Sequence, residues 1–363
     1  MKTAYIISMH CPLNYGAILQ TYGLQTYLES LGLKVMIINY QPHYIVHDQS
    51  LMYVGDDRLK QHLITRWAYR LLKAPTKIAR RNAFSAFAKN ELHLTPLYKT
   101  YEEIKDAGLD ADYFICGSDQ IWNVVSGAHK DPSYFLDFAP KGRKRIAYAA
   151  SGNLPITEEV KDITFPLINK IDCISMREDS TIESIQPFIN KPITHVCDPV
   201  FLIDAEKWRE LYKKHSSFKP REKYVLVYPM GNGGASTVDS AAQIAKSLGL
   251  PLYKLSSSQR RDSRIDKKFN VTPYDFLALL DNAEYVLTNS FHGTAFSIIF
   301  EKQFLTCTAV GTNQRIMSLL QKAGLENRSL NPNIEDRINS HESKQNMDSY
   351  IIASKSFLEQ CIF

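Results

Sequence analysis

The chain has 363 residues with 44% hydrophobic and 22% charged side chains, and its formal net charge at pH 7 is +5. This length exceeds what one hydrophobic core supports and predicts two domains, while the composition excludes a disordered or fibrous protein. The modest positive charge suits an anionic substrate or a membrane surface, but it is too small to indicate nucleic-acid binding by itself.

The sequence shows no targeting or membrane-spanning segment. Residues 1–8 lack the apolar core of a signal peptide, and no apolar run approaches the roughly 18–20 residues of a membrane-spanning helix. The six cysteines are scattered without a CxxC pair, a pattern that disfavours a zinc site or a disulfide framework and fits a reducing compartment. We therefore expect a cytoplasmic protein without a metal site, whose contact with the membrane is at most peripheral, at its inner face.

The first half of the chain opens with a strand, a helix and a second strand, as Rossmann-like domains do. These elements are predicted at residues 4–8, 18–31 and 35–39. The turn after the first strand contains Asn14, Tyr15 and Gly16, which either line a ligand cleft or only make the turn. The turn has no GxGxxG pattern, so a dinucleotide site has no support.

Residues 58–90 form an unusually basic segment, with nine Lys or Arg residues and no Asp or Glu. Apolar and aromatic residues are interleaved with the charges, and the pattern predicts a helical pair broken at Pro75. One interpretation is that the pair packs its apolar face and solvates its charges. The other is that it lies on the anionic inner leaflet and helps to find a lipid-linked acceptor.

Polar side chains follow a buried strand at residues 112–116. Gly117 permits a sharp turn, and Ser118, Asp119 and Gln120 then stand at the carboxyl end of the strand, where ligands of parallel sheets bind. Asp119 is suited to orient a sugar hydroxyl or to take its proton. Trp122 either stacks on a sugar face or packs in the core.

Two further strands, at residues 145–150 and 173–176, continue this half of the chain. Arg177 leaves the second of them, and an arginine in such a place can hold a carboxylate or a phosphate by two parallel hydrogen bonds. The alternative is an ion pair with Glu178 or Asp179.

The second half of the chain, residues 201–340, repeats the alternation of strands and helices. Its elements are predicted at 224–228, 237–248, 251–255, 272–280, 285–287 and 303–310, with a polar linker at 213–223, a glycine-rich loop at 229–234, a helix from Arg315 and a final helix at 351–363. Together with residues 1–200 as the first domain, this predicts an α/β protein of two Rossmann-like domains facing a cleft, as in GT-B enzymes. Residues 341–363 form a C-terminal helical tail that we expect to pack on the first domain.

The most informative stretch of this half runs from residue 284 to residue 300, where a short strand meets a helix. His292 lies at that junction with Ser290, Phe291 and Gly293. Free backbone N–H groups and the positive end of the helix dipole favour an anion there, and an imidazole can donate a proton to it. The alternative is a histidine that only caps or packs the loop.

Five short motifs, in this order and spacing, resemble the polysaccharide pyruvyl transferase family. They are Asn14-Tyr-Gly-Ala17, Phe114-Ile-Cys-Gly-Ser-Asp-Gln120, Ser175-Met-Arg-Glu-Asp179, Cys197-Asp-Pro-Val200 and Ser290-Phe-His-Gly293. The resemblance implies a GT-B-like fold, phosphoenolpyruvate as co-substrate with no other cofactor, and transfer of its pyruvyl group as a cyclic ketal onto two hydroxyls of a sugar. The acceptor is then expected to be a polyprenyl-diphosphate-linked precursor of a bacterial surface polysaccharide.

The resemblance also implies roles for single residues. His292 is similar to the family's acid/base histidine near the donor, and Arg177 to an arginine that binds the donor anion. Many members carry an arginine two residues before that histidine, where this chain has Ser290, so Arg315 or Arg328 is expected to replace it. A nucleotide-sugar glycosyltransferase and a non-catalytic saccharide-binding protein remain the alternatives.

Overall fold

The protein is described from a computed structural model in which the chain forms two compact units. The first comprises Met1–Leu202 with Ala353–Phe363, and the second comprises Ile203–Ile352. The sequence placed the corresponding boundaries at residues 200 and 341. The structure describes residues 1–50, 53, 63–231, 234–256, 262–307, 314–329, 338 and 340–363.

The first unit is built on a seven-stranded sheet with the order β3-β2-β1-β4-β5-β6-β7. Its strands are β1 (Thr3–Ile7), β2 (Lys34–Tyr40), β3 (Leu94–Tyr98), β4 (Tyr113–Cys116), β5 (Lys144–Ala150), β6 (Cys173–Met176) and β7 (Ile193–His195). All neighbouring strands are parallel. In the centre, Ile6 pairs with Ile37 on one side and with Ile115 on the other. All three are fully buried, as expected for strands covered on both faces.

Helices connect these strands, and the first shows why its sequence folds as it does. The helices of this unit are α1 (Tyr15–Ser30), α2 (His43–Val46), α3 (Leu63–Glu91), α4 (Tyr101–Asp106), α5 (Phe165–Ile168) and α6 (Asp179–Ile185). The Asn14 side chain accepts hydrogen bonds from the backbone N–H groups of Gly16 and Ala17, at 2.9 and 3.4 Å. It thereby satisfies two donors that have no partner within the helix.

Helix α3 corrects the prediction of a helical pair, because it runs through Pro75 without a break. A proline costs a helix interior about 3 kcal/mol, and the Ala, Leu, Lys and Arg residues on both sides are strong helix formers that offset this cost. Residues 58–62 and the side chains of 63–66 and 68–73 lie outside the described residues.

Two basic side chains of α3 contact the protein itself. The Lys77 ammonium donates to the carbonyl oxygens of Asp48, Ser50 and Tyr53 at 3.4, 3.2 and 3.1 Å, and the Arg80 guanidinium donates to the Leu13 carbonyl at 2.8 Å. Membrane contact through this segment stays a prediction. None of the helices in the described part of the chain combines the length and apolar character that crossing a bilayer needs.

The second unit contains a five-stranded parallel sheet with the order β10-β9-β8-β11-β12. Its strands are β8 (Val225–Tyr228), β9 (Leu252–Leu255), β10 (Lys267–Phe269), β11 (Tyr285–Thr288) and β12 (Gln303–Thr306). Strand β10 was not predicted, because an edge strand that reads Lys-Lys-Phe is too short and too polar to stand out. The predicted strand at 303–310 is shorter in the structure, and residues 308–310 lie outside the described ones.

The helices of this unit include the first residues of the predicted linker. They are α7 (Ala205–His215), α8 (Gly234–Leu248), α9 (Pro273–Asp281), α10 (Phe291–Ile299), α11 (Gln314–Ala323) and α12 (Ser340–Ile362), whose last residues belong to the first unit. The predicted linker at 213–223 is instead the end of α7 and a loop within the second unit. The Asp275 carboxylate holds that loop by accepting hydrogen bonds from the Ser216 hydroxyl and the Ser217 N–H, at 2.6 and 3.1 Å.

The chain approaches β5 very closely at Gly117, directly after β4. Its φ is +128°, and a Cβ atom there would lie 2.0 Å from the Tyr148 carbonyl oxygen. Gly142 has a φ of +82° and no atom within 4 Å of such a Cβ. We expect Gly142→Ala to cost about 1 kcal/mol of conformational strain and Gly117→Ala to cost about 2 kcal/mol more, from the clash. Urea unfolding of both variants measures this difference, and equal losses would contradict it.

Candidate functional site

Each sheet has one place where the strand order reverses, and Asn14, Asp119 and His292 follow strands that flank these places. In the first unit the chain moves outward from β1 through β2 to β3 and returns to β4, so the reversal lies between β1 and β4. In the second unit it lies between β8 and β11. Ligands of open α/β sheets bind outside the carboxyl ends of the strands at such points.

A buried chain of hydrogen bonds ties the strand ends of the first unit together. The Gln20 amide donates to the Ser8 hydroxyl at 2.7 Å and accepts from the Ser118 N–H at 3.2 Å. The Ser118 hydroxyl donates to the Ala149 carbonyl at 2.9 Å and lies 3.4 Å from a carboxylate oxygen of Asp198. Ser118 is fully buried. It therefore fixes the loop after β4 and does not contact solvent.

The Arg177 guanidinium lies at the centre of this cluster, among three carboxylates. It forms an ion pair with Asp198, and its nitrogen atoms lie 3.5 Å from Glu178 and 3.7 Å from Asp119. It also donates to the Ser151 hydroxyl at 3.0 Å. Burial opposes the charge of Arg177, but the carboxylates of Asp198, Glu178 and Asp119 outweigh burial and raise its pKa.

For Arg177, the structure therefore gives the ion-pair alternative, although with partners other than Asp179. Asp179 instead lies 2.6 Å from the His195 ring. The Arg177 side chain is 2% exposed, whereas that of Asp119 is 16% exposed. Binding of the donor anion by Arg177 stays a prediction. It would require the guanidinium to give up its contacts with these carboxylates. Asp119 is the member of this ion-pair cluster that a ligand can reach.

Sequence reasoning missed Asp198 as part of this cluster. From the sequence, Asp198 stands out only as a member of the Cys197-Asp-Pro-Val200 motif. In the structure its other carboxylate oxygen accepts a hydrogen bond from the Val200 N–H at 3.1 Å. The signal was available: Asp198 closely follows β7, so it stands at the same edge of the sheet as Asp119 and Arg177.

Trp122 is placed in the core, which removes it from the predicted acceptor-binding residues. Its side chain is fully buried, its N–H donates to the Tyr134 carbonyl at 3.2 Å, and its ring stacks on Phe135 with centroids 5.4 Å apart. No face of the indole is left for a sugar. Gln120 is half-buried and accepts a hydrogen bond from the Asn123 amide.

The turn of residues 14–16 has a structural role in the first unit. Asn14 caps α1, and Gly16 is buried in its first turn. Tyr15 is 2% exposed; its ring packs on Phe84 with centroids 5.2 Å apart, and the Arg80 guanidinium lies 4.9 Å from its centroid. Acceptor binding by these three residues stays a prediction, and their observed contacts are those of a helix start.

In the second unit, short hydrogen bonds hold the loop between β11 and α10. The Thr288 hydroxyl donates to the Tyr228 carbonyl at 2.8 Å and accepts from the Ser290 N–H at 3.0 Å. The Asn289 amide accepts from the Met230 N–H at 2.6 Å and donates to the Met230 carbonyl at 2.7 Å. The loops after β8 and β11, on the two sides of the reversal point, are thus joined.

His292 lies in the first turn of α10, as predicted. Ser290 is the N-cap, and its hydroxyl accepts from the Gly293 N–H at 3.4 Å. A Cβ atom on Gly293 would lie 2.5 Å from the Thr288 hydroxyl, so only glycine lets the helix start so close to the strand. His292 is 6% exposed and meets the Phe291 ring edge to face at 5.2 Å. The backbone N–H groups of this turn form the positive end of the helix dipole.

The two arginines proposed to replace the family arginine lie in different places. Arg315 is in the first turn of α11, which packs against α10. Arg328 is 1% exposed and lies beside the Tyr285 hydroxyl, whose pKa is raised by burial and lowered in part by this cation. Tyr285 begins β11 and Thr288 ends it, so Arg328 lies at the end of the strand opposite His292. The suggestion that Arg328 binds the donor is therefore wrong.

No group of three or more His, Cys, Asp or Glu side chains is placed to hold a metal ion within the described residues. The polar features at the strand ends are the ion-pair cluster of Arg177 in the first unit and the capped helix start at His292 in the second.

The buried ion pair can be compared with an exposed one in the same unit. Asp198→Asn removes the negative charge nearest to the buried Arg177 guanidinium. We therefore expect the free energy of unfolding to fall by about 3–5 kcal/mol. The control is Asp110→Asn, which breaks a pair with Arg143 at 2.8 Å between exposed side chains and should change little. Urea unfolding measures both. A loss for Asp198→Asn no larger than that of the control would contradict the structural role of the cluster.

Comparison with solved structures gives matches that cover nearly the whole chain. A putative UDP-N-acetylglucosamine 2-epimerase from Listeria monocytogenes is 11% identical with a TM-score of 0.51, covering 99% of this chain and 91% of that one. The S. aureus MnaA–UDP structure is 11% identical with a TM-score of 0.49, covering 99% and 91%. The Streptomyces sp. SF2575 glycosyltransferase SsfS6 is 12% identical with a TM-score of 0.45, covering 99% and 100%. At 11% identity the likeness to the Listeria monocytogenes structure shows the fold alone, and with the two parallel sheets it confirms the predicted α/β class with two Rossmann-like, GT-B-like domains.

Sequence comparison gives the narrower result. Among proteins with curated annotation, none matches this chain significantly. A sequence model described as "Polysaccharide pyruvyl transferase" matches residues 14–309, a span that contains the Arg177 cluster and the His292 loop. Because this match covers most of the chain, the protein belongs to the polysaccharide pyruvyl transferase family.

Proposed function

We propose that this protein transfers the pyruvyl group of phosphoenolpyruvate onto two hydroxyls of one sugar, as a cyclic ketal. The acceptor in this proposal is a polyprenyl-diphosphate-linked precursor of a bacterial capsule or exopolysaccharide. The observation that carries the proposal is the family match over residues 14–309. The helix start at His292, at the reversal point of the second sheet, supports it as a place for an anionic donor.

The reaction needs one proton donor, ligands for the donor anion and a base. The methylene carbon of phosphoenolpyruvate gains a proton and becomes a methyl group, and a sugar hydroxyl adds to the central carbon. The bond from that carbon to the phosphate oxygen then breaks, and the second hydroxyl adds in its place. Of the two hydroxyl protons, one balances the proton on the methyl group and the other leaves with the phosphate.

We assign the donor chemistry to the second unit. His292 protonates the methylene carbon, and the N–H groups of the first turn of α10, with the Ser290 hydroxyl, bind an anionic group of the donor. Phe291 contributes by packing against the imidazole. Arg315 supplies the positive charge that an arginine at the position of Ser290 provides in many family members. Gly293 permits the close approach of this turn to Thr288.

We assign the acceptor chemistry to the first unit. Asp119 takes the proton of the attacking hydroxyl, and Arg177 holds Asp119 in place from 3.7 Å. The cluster suits a neutral sugar because three carboxylates surround one guanidinium, an excess of negative charge that disfavours a phosphate or a carboxylate at this point.

His292→Gln should lower turnover by about 10²–10⁴-fold, because a general acid contributes that much, and should leave the melting temperature unchanged. Phosphate release from phosphoenolpyruvate in the presence of a glycan acceptor measures turnover. His215→Gln is the matched control, since it makes the same change at an exposed position of the second unit. Near-normal turnover of His292→Gln would remove His292 from the mechanism.

Arg177→Lys separates the two roles considered for this residue. If the guanidinium positions Asp119, the variant lowers kcat and leaves the KM for phosphoenolpyruvate nearly unchanged, and Asp119→Asn behaves in the same way. This is the result we expect, because the guanidinium faces carboxylates. A rise of about tenfold or more in that KM, with kcat retained, would instead return Arg177 to the donor site.

Mass spectrometry of a panel of lipid-linked glycans incubated with phosphoenolpyruvate tests the function itself. The expected product carries one ketal-linked pyruvate, and its fragments identify the modified sugar. Sugar transfer from a UDP or GDP sugar, without a reaction of phosphoenolpyruvate, would establish a nucleotide-sugar glycosyltransferase instead. Glycan binding without either reaction would establish a saccharide-binding protein.

A further inference from the structure

The surface of the first unit has an open depression of about 540 Å³, called the cavity below, which none of the predicted site residues lines. Its walls come from three chain segments at one edge of the sheet: the segment from Tyr40 to Tyr44 after β2, the segment 99–101 after β3, and residues 127–132 in the loop that follows β4. Its volume lies in the range of small-molecule sites. The cavity is therefore large enough for a sugar ring with its substituents.

Three tyrosine rings contribute to the cavity, and hydrogen bonds hold each of them. The hydroxyls of Tyr40 and Tyr44 both donate to one carboxylate oxygen of Asp131, at 2.7 and 2.6 Å. The Tyr101 hydroxyl donates to Asp137 at 3.1 Å. Burial and the neighbouring carboxylate raise the pKa of each tyrosine, to about 12 for Tyr101, so all three remain protonated donors at neutral pH. The rings are thus fixed before a ligand arrives.

The rim of the cavity is polar. Lys99 and His43 are exposed and offer hydrogen-bond donors. The ring of Tyr44 is 36% exposed, so it can offer a flat apolar surface to a ligand. A pyranose ring has matching features, because its C–H groups form an apolar face and its hydroxyls form a polar edge. A lipid chain lacks such a polar edge and would make no hydrogen bonds with these donors.

The position of the cavity relates it to Asp119. Asp119 begins the loop that later forms one wall of the cavity, and β2 and β4 flank β1 in the sheet. The other two walls follow β2 and β3 of that sheet, so the cavity lies on the same carboxyl side of the sheet as Asp119.

We propose that this cavity binds a pyranose unit of the acceptor next to the sugar that receives the pyruvyl group, with the Tyr44 ring against its apolar face and Lys99 at its hydroxyl edge. The identification of this saccharide as an acceptor rests on the proposed function. The saccharide binding itself does not, because it follows from the aromatic walls, the polar rim and the volume.

Saturation-transfer NMR on the full chain tests the proposal, with the methyl glycosides of galactose, glucose and N-acetylmannosamine as probes. At least one glycoside should receive saturation, and Tyr44→Ala should reduce its binding by about fivefold or more. Lys99→Ala, at an exposed position, should weaken binding without affecting folding. Phe188→Ala is the control, because this ring is 38% exposed and lies outside the cavity.

Absence of transfer to all three glycosides would overturn the proposal, as would an equal loss with Phe188→Ala or displacement of the glycoside by UDP. Measuring phosphate release from phosphoenolpyruvate distinguishes a failure of the cavity proposal from a failure of the proposed function. If the wild type reacts with phosphoenolpyruvate and Tyr44→Ala has the same KM for the acceptor, the cavity is not the subsite although the function holds. If Tyr44→Ala and Lys99→Ala lose glycoside binding but no phosphate is released, the saccharide site stands and the pyruvyl transfer fails.

Discussion

The structure of the first unit depends on one buried positive charge. The Arg177 guanidinium is 2% exposed and lies among Asp198, Glu178 and Asp119. A charge so far from water is tolerated only when opposite charges and hydrogen bonds replace the lost hydration. These carboxylates follow different strands of one sheet, so the requirement to surround Arg177 fixes where those strands end. The position of the Asp119 side chain, which is 16% exposed, follows from this constraint.

The second unit fixes its site without a charged side chain. Its strand end and helix start are held by hydroxyl and amide groups of Thr288, Asn289 and Ser290, and the positive character there comes from backbone N–H groups. The two units thus provide different electrostatic environments at the carboxyl ends of their strands: an excess of carboxylates around Arg177 in one and the helix N-terminus at His292 in the other. This contrast is the physical basis for assigning the neutral substrate to the first unit and the anionic one to the second.

Sequence patterns predicted the features that depend on local chemistry, and missed those that depend on packing. The apolar strands, the strand-to-helix junction at His292 and the polar residues after β4 follow from short-range signals. Whether Trp122 faces a ligand or the core is decided by Phe135 and Tyr134, which no periodicity connects to it. The strand end at which Arg328 lies likewise depends on the path of the chain after β12, which its own neighbours in sequence do not encode.

The contacts of helix α3 have a consequence for any attraction of this protein to anionic lipid. Each Lys or Arg near such a surface contributes about 1 kcal/mol, so the nine basic residues of the segment 58–90 suggest strong attraction. Lys77 and Arg80, however, direct their charged groups to carbonyl oxygens of the protein. Both side chains keep their charge, because carbonyl oxygens are neutral, but these contacts hold them against the protein. They are therefore not free to extend toward lipid headgroups, so composition alone overstates the charge that this helix can present to a bilayer.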